Sequence, residues 1–230
     1  VKFYGAQIIE DRANGIVRDK NGNVYTVGKA KTGQGGDNII IVKYDPQGVQ
    51  KWVYNTGGTF AGYNAYDEGK AIAVDSNGYV YFTGTVYNHP TTKNDICTGK
   101  LDSNGNRLWH SVWVPTGPQH GDDIGNDIIV DTLGNVYITG QYTNLAGNLD
   151  FITIKYNSAG TEQWGRTHGV NPGGNDIANA ITLDQNLNVF VTGVSDGAAS
   201  GEDILTIKYS AVSGLQQWVK IFNGAGNGHD

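Results

Sequence analysis

Four segments of this chain repeat one pattern: Val24-Tyr25-Thr26-Val27-Gly28, Val80-Tyr81-Phe82-Thr83-Gly84, Val136-Tyr137-Ile138-Thr139-Gly140 and Val189-Phe190-Val191-Thr192-Gly193, roughly 53–57 residues apart. A fixed period of this length means an array of one supersecondary unit, each burying its apolar face on its neighbours. Other landmarks keep the same register. An acid opens each unit at Asp11, Asp67, Asp123 and Asp176, and Asp230 stands where a fifth would open. A second acid follows at Asp19, Asp75, Asp131 and Asp184. A third precedes an apolar run ending in lysine, from Asp37 to Lys43, Asp95 to Lys100, Asp150 to Lys155 and Asp203 to Lys208. Trp52, Trp109, Trp164 and Trp218 each follow a glycine-containing turn. The units are 11–66, 67–122, 123–175 and 176–230.

Each unit holds four short runs that read as strands. In the second these are Ala71 to Val74, Tyr79 to Thr83, Ile96 to Leu101 and Arg107 to Trp113, rich in Val, Ile, Thr, Tyr and Trp and bounded by turn residues. Asp75-Ser76-Asn77-Gly78 and Asp19-Lys20-Asn21-Gly22 join the first two runs, and Asn-Gly supplies the positive φ of a tight hairpin. Asp45-Pro46-Gln47-Gly48, Asp102-Ser103-Asn104-Gly105 and Asn157-Ser158-Ala159-Gly160 join the third and fourth. No stretch has an apolar stripe at helical spacing, so helix should be nearly absent. A four-stranded antiparallel sheet of this size cannot bury both faces alone, and radial packing of such sheets gives a β-propeller. The small residues of the first run (Gly15, Ala71, Ala73, Ala178, Ala180) suit the crowded innermost strand, and the tryptophans suit the perimeter. A β-solenoid is the competing architecture, with shorter rungs. The expected fold class is all-β, with four propeller blades.

The pattern Asp-x-Ala-x-x-Ile-x-Val-Asp-x-x-Gly-Asn-Val-Tyr-x-Thr-Gly, carried by Asp67 to Gly84 and Asp123 to Gly140, resembles the bacterial beta-propeller repeat family SBBP. The likeness runs over essentially the whole chain. It implies a propeller, often of about seven blades, in secreted or cell-surface proteins, and it brings no common catalytic residue. Unit one departs at Arg18, where the others have Val74, Val130 and Leu183; unit two departs at Cys97 and Gly99. Val1-Lys2-Phe3-Tyr4-Gly5 is similar to Val219-Lys220-Ile221-Phe222 and the glycines beyond, so residues 1–10 read as the outer strand of a preceding blade. The expectation is a segment of a larger ring of about seven or eight blades. The alternatives are a four-bladed ring with a redundant strand, or two chains pairing into a larger ring.

Composition narrows the function classes. The net charge is −6 and the basic residues are scattered, which argues against a nucleic-acid or anionic-membrane footprint. No apolar run is long enough to span a membrane. The single Cys97 rules out an internal disulfide and reads as a buried, inert thiol.

Local motifs that could carry chemistry each have a plainer reading. Gly193-Val194-Ser195-Asp196-Gly197 matches a nucleophile elbow, but that motif needs a strand-to-helix turn and here a polar loop follows. Asp19-Lys20-Asn21-Gly22-Asn23 starts like a calcium loop yet lacks the distant bidentate Glu, so an Asx turn is expected; calcium has no specific motif, and no cofactor is assigned. The opening acids should accept backbone N–H groups between neighbouring blades. Asp127 replaces a small residue on an innermost strand, facing a solvated channel or buried with a raised pKa. His89, His110, His120, His168 and His229 fall at no repeated position, lack zinc spacing and read as surface or turn residues.

What is not repeated carries the functional information. Strand alternation puts the loops 29–36, 85–94, 141–149, 194–202, 56–66 and 115–122 on one face, opposite the tight turns. Variable loops on a rigid scaffold are where binding evolves. Phe60, Tyr63, Tyr66, Tyr87, His89, Trp113, His120, Tyr142 and His168 belong to or flank them, and aromatics among amides and acids suit glycan or peptide contacts. The competing expectation is that several fold back on the blades. The preferred function is a non-catalytic, secreted or cell-surface module that binds protein or glycan or serves as a scaffold. The alternative is a propeller enzyme, a polysaccharide lyase or hydrolase with its site on the long-loop face. A third class, quinone-cofactor propellers, is suggested by Lys100-Leu101-Asp102-x-x-Gly105-x-x-x-Trp109.

Overall fold

A computed structural model describes residues 11–31, 36–57, 66–89, 93–115, 121–197 and 201–224. The described residues form four four-stranded antiparallel sheets and no helix. The first sheet holds β1 (Arg12–Arg18), β2 (Val24–Lys31), β3 (Asp37–Tyr44) and β4 (Gln50–Thr56), paired in that order. The second holds β5 (Glu68–Val74), β6 (Val80–His89), β7 (Lys93–Leu101) and β8 (Arg107–Trp113). The third holds β9 (Ile124–Val130), β10 (Val136–Thr143), β11 (Leu149–Tyr156) and β12 (Glu162–His168). The fourth holds β13 (Asp176–Leu183), β14 (Val189–Gly197), β15 (Gly201–Tyr209) and β16 (Gln216–Phe222). The first strands stack, β1 on β5, β5 on β9 and β9 on β13, as the small-residue pattern implies. The opening segment 1–10 lies outside the described residues.

The repeated Val-Tyr-x-x-Gly stretch is the second strand of each blade, and its positions have separate jobs. Strand alternation turns the valine and the residue after the tyrosine toward the preceding blade, and the tyrosine toward the following one. Val80 and Phe82 thus join a core with Tyr25, Val27, Ile39 and Ile41 of the first sheet. Tyr81 joins Ile128, Val136, Ile138 and Tyr156 of the third. Tyr137 joins Ile181, Val189, Val191 and Tyr209 of the fourth. The glycine answers a β-bulge. Each first strand carries one extra residue there, Asn14, Lys70, Asn126 or Asn179. The bulge pushes a carbonyl (Arg12, Glu68, Ile124, Ile177) onto the space a Cβ would need at Gly28, Gly84, Gly140 or Gly193. The extra asparagines cross to the next blade: Asn14 Nδ2 donates to the Gly69 carbonyl and Asn126 Nδ2 to that of Ala178, each at 2.9 Å.

The turns are the tight hairpins with positive φ that Asn-Gly implies. The Asp19 N–H donates to the Asn23 carbonyl and the Gly22 N–H to the Asp19 carbonyl, and Gly22 alone in the turn has positive φ, at 84°. This is a three-residue loop, a type I turn closed by a left-handed residue. Asp19 Oδ1 accepts the N–H groups of Asn21 and Asn23, while Oδ2 accepts Asn23 Nδ2 and the Tyr25 hydroxyl. Tyr81 and Tyr137 tie to Asp75 and Asp131 in the same way. Leu187 takes the glycine's place in the fourth blade with φ of 63°.

All four expected loops between second and third strands are shorter than the sequence implies, the first because β2 runs on to Lys31. β6 and β7 run on past Gly84 to His89 and from Lys93, and β14 and β15 extend to Gly197 and from Gly201. Their polar residues pair as an ordinary ladder, for example Tyr87 with Asn94 and Ser195 with Asp203. Between β10 and β11, Asn144 Oδ1 accepts the N–H groups of Ala146 and Asn148, so this connection is another Asx turn. In β7, Gly99 makes room for the Phe82 ring, which would meet a Cβ at 2.5 Å, and Tyr54 of the first sheet packs on that ring at 5.8 Å.

A latch repeats at each junction between sheets. The indole N–H groups of Trp52, Trp109 and Trp164 donate to the carbonyls of Ser103, Ser158 and Ala211, in the third-to-fourth-strand turn of the next blade, at 3.1, 3.2 and 3.2 Å. The turn glycines Gly105, Gly160 and Gly214 lie flat on those indoles, where a Cβ would come within 2.8, 2.6 and 2.6 Å. Lys43 and Lys155 donate to the same turn carbonyls while covering the Tyr25 and Tyr137 rings.

Candidate functional site

Two strand ends and a turn meet at the junction of the second and third sheets. β7 begins at Lys93, held at a φ of 60°; the segment 121–124 leads into β9; the Asx turn of Asn144 caps the β10–β11 hairpin. Between them lies an open cleft of about 510 Å³, lined by Lys93, Asp122, Gln141, Thr143, Asn144 and Leu145 among others. Its walls are held by hydrogen bonds. Asn94 Nδ2 donates to Asp122 Oδ1 at 2.9 Å, the Thr143 hydroxyl to the Asp122 carbonyl at 3.1 Å, and Asn144 Nδ2 to Asp150 Oδ2 at 3.0 Å. The cleft offers amides, a hydroxyl, one acid, one lysine and the isobutyl group of Leu145, which is 75% exposed.

Beneath it, Asp123 is fully buried and does not line the cleft. Its Oδ1 accepts the Thr143 N–H at 2.7 Å. Burial pushes its pKa up to about 7; the Thr143 N–H opposes this, and the charges of Asp95 and Asp122 add to it. The folded pKa is raised, so this group favours folding fully below about pH 4 and loses that contribution as pH rises through 7. Asp123→Asn is therefore expected to gain on the wild type by on the order of 2–4 kcal/mol between pH 4 and pH 8, read from urea midpoints. Parallel pH curves for the two proteins would refute it.

The opening acids accept backbone N–H groups, two of the three from their own unit rather than from the neighbouring one. Asp67 takes Tyr87 N–H and Asp123 takes Thr143 N–H from their own blades, and Asp176 takes Val170 N–H from the connection just before it. Contact across the junction comes from the main chain instead: Asp67 N–H to the Asp37 carbonyl, and Asp123 N–H to that of Asn94. Asp127 does bridge blades. Its Oδ2 accepts the Ile181 N–H of β13 at 2.9 Å and its Oδ1 that of Ile128, and burial raises its pKa.

Of the expected ligand residues, the described ones lie at several places in the fold. Tyr66 is exposed beside the first junction, with Lys29 Nζ 6.0 Å from its ring centre, and the half-buried Tyr87 lies on β6. Trp113 and Tyr142 meet edge-on at 6.1 Å, half-buried between the second and third sheets. Gln141 and Thr143 line the cleft while Tyr142, between them on the strand, packs on Trp113. His168 is half-buried at the end of β12. Phe60, Tyr63, His120 and the side chain of His89 lie outside the described residues, as does His229. His110 is not a surface or turn residue: it is half-buried in β8, its Nε2 2.9 Å from Cys97 Sγ, and burial lowers its pKa. Cys97 is fully buried and burial pushes its thiol far up, which leaves it unreactive at neutral pH. Gln141, Asn144 and Leu145 fall in a loop the sequence marks as informative, but no aromatic signal singles them out. Among the described residues no group of three acid, histidine or cysteine side chains is arranged to hold a metal.

Comparison with known proteins agrees with this architecture. The family model described as Beta-propeller repeat, SBBP, matches residues 117–144 and 163–198. No curated protein is similar in sequence. Among solved structures, a protein of unknown function from Dyadobacter fermentans aligns with a TM-score of 0.58 and 9% identity, over 92% of this chain and 69% of that one. The Hadza microbial sialidase Hz136 aligns at 0.60 and 10%, over 94% and 46%. The alpha-L-arabinanase of Penicillium chrysogenum aligns at 0.59 and 10%, over 91% and 66%. At such identities the likeness is one of fold, and the chain spans less than half of the sialidase and about two thirds of the other two.

Proposed function

We propose that this chain, which carries SBBP-type β-propeller repeats, is a binding module that takes a glycan in the cleft between its second and third blades. The supporting observation is that cleft, with Gln141, Asn144, Thr143, Asp122 and Lys93 around the exposed Leu145. Hydroxyl-rich ligands are oriented by such amides and acids, and an apolar side chain covers the non-polar face of a sugar ring. A non-catalytic role fits the use of the repeated carboxylates, since Asp67, Asp123 and Asp176 each accept a backbone N–H. The secreted or cell-surface location implied by the resemblance belongs to the same proposal.

A glycan array followed by calorimetric titration of the best ligand tests it. Gln141→Ala with Leu145→Ala should weaken binding at least about tenfold, the effect of losing roughly 1.4 kcal/mol, with unchanged thermal stability. Equal binding by wild type and double variant would remove the cleft from the reading. Turnover of a polysaccharide panel that is lost in Asp122→Asn would replace it with the enzymatic alternative.

A further inference from the structure

The second blade departs from the others at the turn between its first and second strands, and two departures meet in one hollow. Asn23, Asn135 and Asn188 each donate Nδ2 to Oδ2 of the turn aspartate, at 2.7, 2.8 and 2.9 Å. In the second blade that position is Tyr79, whose main-chain N–H goes to Asp75 Oδ1 and whose side chain donates nothing to the carboxylate. Among the described residues, Asp75 Oδ2 is left with a single hydrogen-bond donor, the Tyr81 hydroxyl at 3.0 Å.

The lysine differs as well. Lys43 and Lys155 donate to turn carbonyls of the next blade at 3.0 and 2.9 Å. Lys100, their equivalent, instead holds its Nζ 4.3 Å from the Tyr79 ring centre and 5.1 Å from that of Tyr81. It has no hydrogen-bond acceptor among the described residues, although it is only 8% exposed. An ammonium taken out of water without an acceptor is costly; burial lowers its pKa, and the charge of Asp75 opposes this. Lys100 and Asp75 both line a hollow of about 290 Å³ between the turn 75–79 of the second blade and the turn 131–135 of the third.

We propose that this hollow is a second sugar site, for a neutral pyranose, in which one hydroxyl accepts from Lys100 Nζ and donates to Asp75 Oδ2. The lysine lacks an acceptor, the carboxylate oxygen has room for a donor, and a hydroxyl is both at once. A carboxylate ligand would serve Lys100 but stand against the charges of Asp75 and Asp131. Asp131 takes no part, since its oxygens already accept the Leu133 and Asn135 N–H groups, Asn135 Nδ2 and the Tyr137 hydroxyl. The volume far exceeds the roughly 30 Å³ of one water, and Tyr79 with the 71% exposed Leu133 adds apolar wall for the C–H face of a ring. The length of β10 separates this hollow from the cleft at the other end of the strand, so neither site rests on the other.

Titration of the ¹⁵N-labelled protein with the methyl glycosides of glucose, galactose, mannose and xylose tests the proposal. At least one should give saturable amide shifts at Asn77, Tyr79 and Leu133 with a Kd of about 1–10 mM, distinct from shifts at Gln141 and Thr143 that report the cleft. Lys100→Met removes the ammonium and should weaken those shifts at least about tenfold without lowering thermal stability, since an apolar side chain replaces a desolvated cation. Tyr79→Asn is the companion variant. It supplies the Nδ2 donor that the other three blades use, so the fold is kept, and it should abolish binding by occupying Asp75 Oδ2. Sodium glucuronate should bind at least about threefold more weakly than the methyl glucoside. Absence of saturable shifts at these three amides with every glycoside would overturn the proposal. So would binding that both variants leave unchanged, or glucuronate binding more tightly than the neutral sugar.

Discussion

Gly140→Ala is expected to destabilise the protein by about 3–5 kcal/mol, a loss large enough to threaten folding of the third blade. The added methyl would stand on the Ile124 carbonyl and beside Gly125 Cα, both main-chain atoms of the bulged β9. A flexible side chain could swing aside, but a hydrogen-bonded strand packed against β5 and β13 has nowhere to go. Gly147→Ala separates this steric cost from backbone conformation. Gly147 has φ of 87° and nothing within 4 Å of its would-be Cβ, so its replacement should cost only about 1 kcal/mol. Urea denaturation of the two variants decides the matter, and comparable losses would show that the bulge can relax.

Trp164→Ala should cost about 3–5 kcal/mol. The indole is 6% exposed and lies between the Tyr137 and Tyr209 rings, each 6.3 Å away between centres. Its N–H is the donor to the Ala211 carbonyl, and the Arg166 guanidinium lies 6.0 Å from the ring. Truncation leaves a cavity walled by two aromatic rings and takes away the surface on which Gly214 rests. The same change at Trp218, which is 36% exposed, should cost under about 1 kcal/mol. Equal losses at the two positions would mean that these tryptophans stabilise their own sheets and contribute nothing at the junctions.

The architecture is legible in the sequence because its causes are local and repeated. Alternation in Val-Tyr-x-x-Gly, turn residues at fixed offsets and small residues on the first strand all follow from geometry internal to one unit. The misreadings come where local chemistry is ambiguous. Gly84 looked like a strand end, yet it is the one residue that fits opposite a bulge, and the ladder continues through polar residues to His89. Asn144 to Asn148 reads as an irregular loop because asparagine and glycine serve long loops and Asx turns alike. The candidate cleft was legible only as a region. Which aromatic side chains reach solvent depends on strand parity carried into the hairpin ends, and at Tyr142 that parity turns the ring onto Trp113.

The junctions also bear on how the molecule comes apart. Among the described residues the main inter-sheet packing joins sheets that are consecutive in the chain, as β1 does with β5 and β9 with β13. Stability is then approximately a sum over units and nearest-neighbour couplings, as in a one-dimensional lattice. Among the described residues the second and third blades are coupled to a neighbour on both sides, which makes them the best-protected part of the array. Amide protons in β10 and β6 should consequently be the slowest to exchange.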